Sequence, residues 1–236
     1  MSSKKIDRQP ANASAEYIQA REALADAELA LSEQIEKVAA LRRGLPQGAV
    51  MGDYTFNVAA LPGGGAATAT TTLAELAADG RSLVVYHMMF GPGATEPCPM
   101  CALLVDGLEG VAPHIRQKVN FAVVAKAPAA TLAGYAAKRG WKRSAILSSG
   151  ESSFNTDMLV ETPTWAPTGF DQMAAVSVFR KGTDGRVYHV YTQYPHMRQP
   201  DKMERGMDAL SPFWNVLDLI PEGRGTEYAR NDYVFE

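Results

Sequence analysis

Apolar side chains near the start of the chain follow a heptad spacing. Apolar or small residues recur at alternating intervals of three and four, with one polar break: Tyr17, Ala20, Leu24, Ala27, Leu31, Gln34, Val38 and Leu41. This spacing places them on one face of a helix. Asn12 or Ser14 is suited to cap its start, and Gly44 and Pro46 mark its end. We predict a long N-terminal amphipathic helix ending at Arg43. Its apolar stripe should be buried, within its own domain by preference or else in a homodimer.

The pattern then changes to alternating strands and helices. Strands are predicted at residues 54–58, 83–89, 120–125, 145–147, 175–179 and 186–191, and helices at 99–116, 128–139 and 212–220. A strand, a crossover helix and a second strand form a parallel pair, whereas the last two strands, joined by residues 181–185, must be antiparallel. The sequence therefore predicts an α/β fold with a mixed sheet flanked by helices on both faces.

Composition and charge exclude several classes of protein. The 236 residues are 46% hydrophobic and 21% charged, as in an ordinary globular protein that needs neither disulfides nor metal for its core. The net charge is −3 without a basic block, so neither nucleic acid nor a membrane is expected as a partner. No apolar run is long enough for a bilayer or a secretion signal. We expect a cytoplasmic protein with a helical extension over residues 1–46 and a single domain over residues 47–236.

The only two cysteines, Cys98 and Cys101, form a Cys-x-x-Cys motif after a predicted strand. Pro99 suits the first helical position, so Cys98 precedes the first turn, where free N–H groups and the helix dipole favour a thiolate. A thiol of pKa about 8.5 is only a few per cent ionised at neutral pH, and a drop of about two units makes most of it nucleophilic. We predict Cys98 as nucleophile and the more buried, less acidic Cys101 as resolving thiol of a dithiol–disulfide oxidoreductase, with Pro99 and Met100 as supporting residues.

Other interpretations of the cysteine pair remain open. Zinc would need further ligands, but the chain has no other cysteine and no histidine pair at zinc-site spacing, so we predict no metal and no cofactor. The main alternative is a thiol peroxidase, because the hydroxyl of Thr95, three residues before Cys98, is suited to orient a peroxide. Either enzyme would use a disulfide or peroxide substrate and a cellular thiol reductant. A third possibility is a redox-sensing or partner-binding module that uses the N-terminal helix.

Two further segments are candidates for the site. His87 ends a strand that runs toward the cysteines, so it is a candidate to move protons for Cys98 or Cys101, although a hydrogen-bonded core histidine is the favoured interpretation. Residues 154–157 follow a later strand, on the side where such sheets bind ligands, and are a candidate wall of the site.

Several stretches of the chain resemble one protein family. They include the Pro97-Cys98-Pro99-Met100-Cys101 motif and lie at residues 86–92, 97–101, 106–110, 113–115, 123–128, 139–141, 147–149, 177–180 and 217–225. Together they resemble the bacterial thioredoxin-like family called domain of unknown function 899. The resemblance implies a thioredoxin-like fold and a dithiol–disulfide oxidoreductase role, without naming a substrate.

Two positions depart from related patterns. In the wider thioredoxin superfamily a cis-proline precedes the third core strand and faces the cysteines, whereas residues 173–175 here read Met-Ala-Ala. A peroxiredoxin-like pattern has three residues between its proline and threonine, whereas only Gly93 and Ala94 separate Pro92 from Thr95. Neither mechanism is therefore carried over without change.

Overall fold

The structure, a computed structural model, describes residues 10–63, 69–195, 207–225 and 229–233. Two compact units are distinguished, Met1–Pro46 and Gln47–Glu236, and each is described by itself. In its described part, residues 10–46, the first contains one long helix, α1 (Ala15–Arg43).

Helix α1 begins and ends close to the predicted positions. The Tyr17 N–H donates to the side-chain oxygen of Ser14 at 3.1 Å, so Ser14 is the N-cap, and Gly44 follows the last turn. No residue of α1 is buried, and Leu24 and Leu31 expose 48% and 61% of their surface. The stripe that the heptad pattern predicted to be buried is thus exposed on this helix. Its burial in a homodimer stays a prediction.

The second unit is built on a seven-stranded sheet. Its strands are β1 (Thr55–Ala60), β2 (Thr70–Thr72), β3 (Leu83–His87), β4 (Asn120–Ala125), β5 (Ala145–Ser148), β6 (Ala175–Lys181) and β7 (Val187–Gln193). Its helices are α2 (Leu73–Leu76), α3 (Pro99–Ile115), α4 (Ala129–Arg139), α5 (Phe154–Asp157) and α6 (Pro212–Leu217), with a 3-10 turn at Asp208–Leu210. No helix in the described ranges is long and apolar enough to cross a membrane.

The strand order is β2-β1-β5-β4-β3-β6-β7. Strand β4 pairs in parallel with β3 and β5, whereas β6 is antiparallel to both β3 and β7. Both crossovers, through α3 and α4, step in the same direction along the sheet, so right-handed connections put these two helices on the same face. The α/β class, with a mixed sheet flanked by helices, is confirmed.

Each face of the sheet has its own core. One core lies between the sheet and helices α3 and α4, and it contains Tyr86 and Cys101. The other contains Val85 and Phe154, the first residue of α5. Because successive side chains of a strand point to opposite faces, the residues of β3 alternate between the two cores. This alternation decides which residues of β3 can reach the cysteines.

The sequence patterns missed three short elements: β2, α2 and α5. The strand β2 has only three residues, too few to show an alternation. Helix α2 did carry a local signal, because Thr72 and Glu75 have the spacing of a capping box. The Glu75 N–H donates to Thr72 Oγ1 at 3.2 Å, and the Thr72 N–H donates to the Glu75 carboxylate at 2.8 Å.

Candidate functional site

The cysteine motif lies at the start of α3, just beyond the carboxyl end of β3. The Cys98 N–H donates to the Met89 carbonyl oxygen at 2.9 Å, and the Cys98 carbonyl accepts the first helical bond, from the Ala102 N–H at 3.0 Å. Cys98 is therefore the N-cap, and Pro99 is the first helical residue. This is the placement that the sequence predicted, and it leaves the N–H groups of the first turn free to favour negative charge beside Cys98.

No disulfide joins Cys98 and Cys101, and the two residues differ in exposure. Cys98 is partly buried, whereas Cys101 is only 2% exposed. The pKa of the Cys101 thiol is raised well above its usual range, first by a hydrogen bond between its thiol and Cys98 and then by burial. The Tyr86 hydroxyl and the Met89 N–H oppose this rise, because both form hydrogen bonds with Cys101 Sγ. Cys101 is thus a buried thiol that keeps its proton in the resting dithiol, as expected of a resolving cysteine.

Both cysteines line a cavity of about 310 Å³. Its lining in the described part of the chain is mostly apolar and includes four methionines: Tyr86, Met89, Cys98, Met100, Cys101, Leu104, Pro167, Phe170, Met173, Ala174, Pro195, Met207, Asp208, Ser211 and Trp214. Asp208 is ion-paired with Arg224 at 2.7 Å. The volume equals that of about ten water molecules, so it suits a small molecule or one apolar side chain.

The structure places some of the predicted supporting residues at the cysteine cavity and others away from it. Pro99 starts α3 and Met100 lines the cavity. Met173 and Ala174, at the place where the superfamily carries a proline, also line it. Thr95 is exposed and does not belong to the described lining, so the structure does not bring its hydroxyl into the cavity.

His87 lies on the opposite face of the sheet from Cys101. Its ring stacks on Phe154 at 5.4 Å between centroids, and its Nε2 is 2.8 Å from Ser177 Oγ. Burial, followed by the nearby His189, lowers the pKa of His87 to about 3. The structure thus does not support a proton-moving role at the cysteines. His87 is the hydrogen-bonded core histidine of the favoured interpretation.

A contact that sequence reasoning missed ties the C-terminal segment to the cysteine loop. The Asn231 side-chain amide donates to the Pro97 carbonyl oxygen at 3.0 Å and to the Glu96 carboxylate at 3.2 Å. The Tyr135 hydroxyl donates to Asn231 Oδ1 at 3.0 Å, and Arg139 donates to the Asn231 carbonyl oxygen at 2.8 Å. The residue before Cys98 is therefore fixed from α4 through Asn231. No local pattern around Asn231 signals this contact.

The candidate wall at residues 154–157 reaches a different cavity through Asp157. This second cavity, of about 950 Å³, lies beyond the carboxyl ends of β4 and β5 and is lined by Lys126, Tyr54 and Asp157 among other, mostly polar, residues. The Tyr54 hydroxyl donates to Asp157 at 2.8 Å, and burial together with this hydrogen bond raises the pKa of Tyr54 to about 12. Phe154 instead lies in the core, so this segment contributes to a site wall through Asp157, at a cavity other than that of the cysteines.

The described residues offer no evident metal centre. Within those ranges, no three His, Cys, Asp or Glu side chains come together in an arrangement that would hold a metal ion.

Comparisons with known proteins identify the family. A family model described as "Bacterial protein of unknown function (DUF899)" matches residues 6–235, and the chain belongs to this family. The family expectation from the sequence is confirmed. No curated protein matches the chain.

Solved structures with a similar arrangement include several peroxiredoxins. Peroxidoxin BcpB from Mycobacterium tuberculosis is 15% identical with a TM-score of 0.44, over 70% of this chain and 96% of that chain. A peroxiredoxin-like protein from Aquifex aeolicus is 12% identical with a TM-score of 0.44, over 63% and 75%. Peroxiredoxin Q from Xanthomonas campestris is 15% identical with a TM-score of 0.42, over 58% and 77%. These similarities say nothing about the chemistry of the site.

Proposed function

We propose that the domain is a thiol–disulfide oxidoreductase in which Cys98 attacks and Cys101 resolves. The observation that carries the proposal is the asymmetry of the pair. Cys98 is partly exposed at the N-cap of α3 and at the cavity, whereas Cys101 is buried, hydrogen-bonded to Cys98 and raised in pKa. A nucleophile must reach its substrate as a thiolate, and a resolving thiol must wait beside it in protonated form.

The reaction proceeds in two balanced exchanges. The Cys98 thiolate attacks a substrate disulfide R–S–S–R, which forms a Cys98–S–S–R bond and releases one thiol. Cys101 then attacks the Cys98 sulfur, which forms the Cys98–Cys101 disulfide and releases the second thiol. Two electrons pass from the protein dithiol to the substrate, and a cellular thiol reductant restores the dithiol.

The cavity beside the thiols supports a substrate with an apolar group next to its disulfide. Four methionines line it, and flexible, polarisable side chains of this type adapt to apolar groups of varied shape. Trp214 and Leu104 add further apolar surface. An apolar substituent bound there would hold the adjacent sulfur near Cys98.

The peroxidase alternative would use the same two thiols. A peroxide would oxidise Cys98 to a sulfenic acid, and Cys101 would condense with it to the same disulfide and water. A cavity as small as about 310 Å³ is compatible with such a substrate. Thr95, the residue predicted to orient the peroxide, is exposed and lies outside the described lining of the cavity. We retain dithiol exchange as the proposed function and the peroxidase as its alternative, and an experiment distinguishes the two.

Rapid mixing of the reduced protein with hydrogen peroxide or with a disulfide distinguishes the oxidoreductase from the peroxidase. We expect the disulfide to react orders of magnitude faster, with the Cys101→Ser variant halting at the mixed disulfide on Cys98. Faster reaction with peroxide would establish the peroxidase instead. Equal rates in wild type and the double variant Cys98→Ser/Cys101→Ser would exclude both enzymes and leave the redox-sensing or partner-binding module.

A further inference from the structure

We propose that the Tyr86 hydroxyl stabilises the Cys101 thiolate at the moment when Cys101 resolves the mixed disulfide. Tyr86 is then a positioning residue for the second exchange and not for the first. This inference rests on the proposed function, because it assigns a group to one of its two steps.

Tyr86 and the buried Cys101 share one core and one cavity. Tyr86 is the penultimate residue of β3, is 2% exposed, and belongs to the same core as Cys101. Its hydroxyl is hydrogen-bonded to the Cys101 thiol, and both residues line the cavity. The Met89 N–H approaches the same sulfur to 3.4 Å. The Cys101 sulfur therefore meets two donors, a side chain on β3 and a backbone group just beyond it.

The second exchange requires hydrogen-bond donors at the Cys101 sulfur. In the resting dithiol, Cys101 shares a hydrogen bond with Cys98. Once Cys98 is bound in a mixed disulfide, its sulfur no longer carries a negative charge to hold that proton, and Cys101 must ionise in order to attack. A buried thiolate is costly unless hydrogen bonds compensate for the lost water. The hydroxyl of Tyr86 supplies one such bond to a residue that is only 2% exposed.

Tyr86 acts as a donor and not as a base. Burial, and then the neighbouring thiols, raise the pKa of Tyr86 well above its usual range, so its hydroxyl keeps its proton at neutral pH. The proton that Cys101 loses ends on the departing R–S⁻, which leaves as R–SH. The Cys98–S–S–R bond breaks as the Cys98–Cys101 bond forms, so the step needs no oxidant beyond the substrate disulfide.

A chromogenic disulfide separates the two exchanges in one experiment. Reduced protein is mixed with one equivalent of 4,4′-dithiodipyridine, which releases one coloured thiopyridone at the attack of Cys98 and a second at resolution. In Tyr86→Phe we expect an unchanged first phase and a second phase slowed about 10- to 100-fold, the effect of losing one hydrogen bond to a charged group. The pH midpoint of the second phase should rise by about one to two units.

A matched tyrosine provides the control. The Tyr54 hydroxyl also bonds a side chain, Asp157, but it lies at the polar cavity beyond β4 and β5. Tyr54→Phe should change neither phase. Equal second phases and equal pH midpoints in Tyr86→Phe and wild type would overturn the proposal. Equal slowing of both phases would do the same, because it would mark a general structural effect.

A second measurement does not depend on the proposed function. Iodoacetamide labelling of Cys101 against pH is compared in Cys98→Ser and in Cys98→Ser/Tyr86→Phe. The midpoint should be higher in the double variant, because only its Cys101 thiolate lacks the tyrosine hydrogen bond. Equal midpoints would overturn the role of Tyr86 even if the protein reduces disulfides. A higher midpoint without any coloured product in wild type would support the hydrogen bond and refute the proposed function.

Discussion

The side-chain amide of Asn231 donates a hydrogen bond to the carbonyl oxygen of Pro97, 3.0 Å away, although the two residues are 134 positions apart in the chain. Pro97 is buried and immediately precedes Cys98. A residue close to the C-terminus thus fixes the backbone that presents the proposed nucleophile. The position of Cys98 depends on this contact as well as on the cap of α3.

Replacing Asn231 should loosen the cysteine loop. We expect Asn231→Ala to lower the free energy of unfolding by about 1 to 3 kcal/mol, because the Pro97 carbonyl and the Tyr135 hydroxyl lose their partner. Asn231→Asp should be worse than alanine, since it places a carboxylate against the Pro97 carbonyl and the Glu96 carboxylate. Denaturant titration of wild type and both variants measures these differences in the free energy of unfolding. An aspartate variant as stable as wild type would contradict the contact.

The buried His87 predicts a loss of stability in mild acid. The pKa of His87 is about 3 in the folded protein and about 6.5 when unfolded, so between these values only the unfolded chain takes up a proton. The contribution of His87 is fully present above pH 6.5 and falls by up to about 1.4 kcal/mol per pH unit as the pH drops towards 3.

Denaturant titrations at pH 7 and pH 5 test the effect of His87. Since carboxylates also titrate in acid, the informative quantity is the difference between wild type and His87→Gln, which keeps a polar side chain beside Ser177. The variant should lose less stability than wild type between the two pH values. Identical losses would show that His87 does not stay neutral.

The apolar cavity predicts a preference among disulfides. Diethyl disulfide should react faster with the reduced protein than 3,3′-dithiodipropionate, whose thiol is a similar leaving group but which carries two carboxylates. Met173→Lys, at the cavity wall, should reduce or reverse this preference by supplying a positive charge. Single-turnover rates with the two disulfides, measured for wild type and for Met173→Lys, give the ratio of the two rates in each protein. Equal rates for both disulfides in wild type would remove the cavity from substrate selection.

The exposed stripe of α1 predicts a homodimer. Leu24 and Leu31 are about half exposed or more on this helix, and burying them against a second copy would remove that apolar surface from water. Amide exchange along residues 15–43 should therefore be slow, and it should become fast in Leu24→Glu/Leu31→Glu, together with a fall in molecular mass by sedimentation. Fast exchange along the whole wild-type helix would show that the stripe is not buried.

The start of α3, with Cys98 before the first turn, could be predicted from residues close together in the sequence. The order strand, Cys98, Pro99, helix follows from capping and proline preferences that act within a few residues, and the structure has it as predicted. The α/β class likewise follows from the alternation of elements. The partners that complete the site are distant in sequence, so the Asn231 contact and the contribution of Met207 and Trp214 to the cavity had no local signal.

The structure places two candidates, His87 and Thr95, outside the described lining of the cysteine cavity, because spacing alone does not set direction. His87 directly follows Tyr86, but alternation along β3 turns these side chains to opposite cores, so only Tyr86 reaches Cys101. Thr95 lies three residues before Cys98, but the segment between them is not helical, and this spacing does not bring side chains together. The hydroxyl beside the thiols comes instead from Tyr86 on the strand.

The central claim, that Cys98 attacks and Cys101 resolves, is tested most directly by labelling the two thiols separately. Reduced protein is treated with iodoacetamide across a range of pH, and each cysteine is quantified by mass spectrometry in wild type, Cys98→Ser and Cys101→Ser. We predict that Cys98 is alkylated first and at lower pH. Cys98→Ser should abolish reaction with a disulfide, and Cys101→Ser should trap a mixed disulfide on Cys98. Earlier labelling of Cys101, or a mixed disulfide trapped on Cys101 in the Cys98→Ser variant, would contradict the account and reverse the two roles.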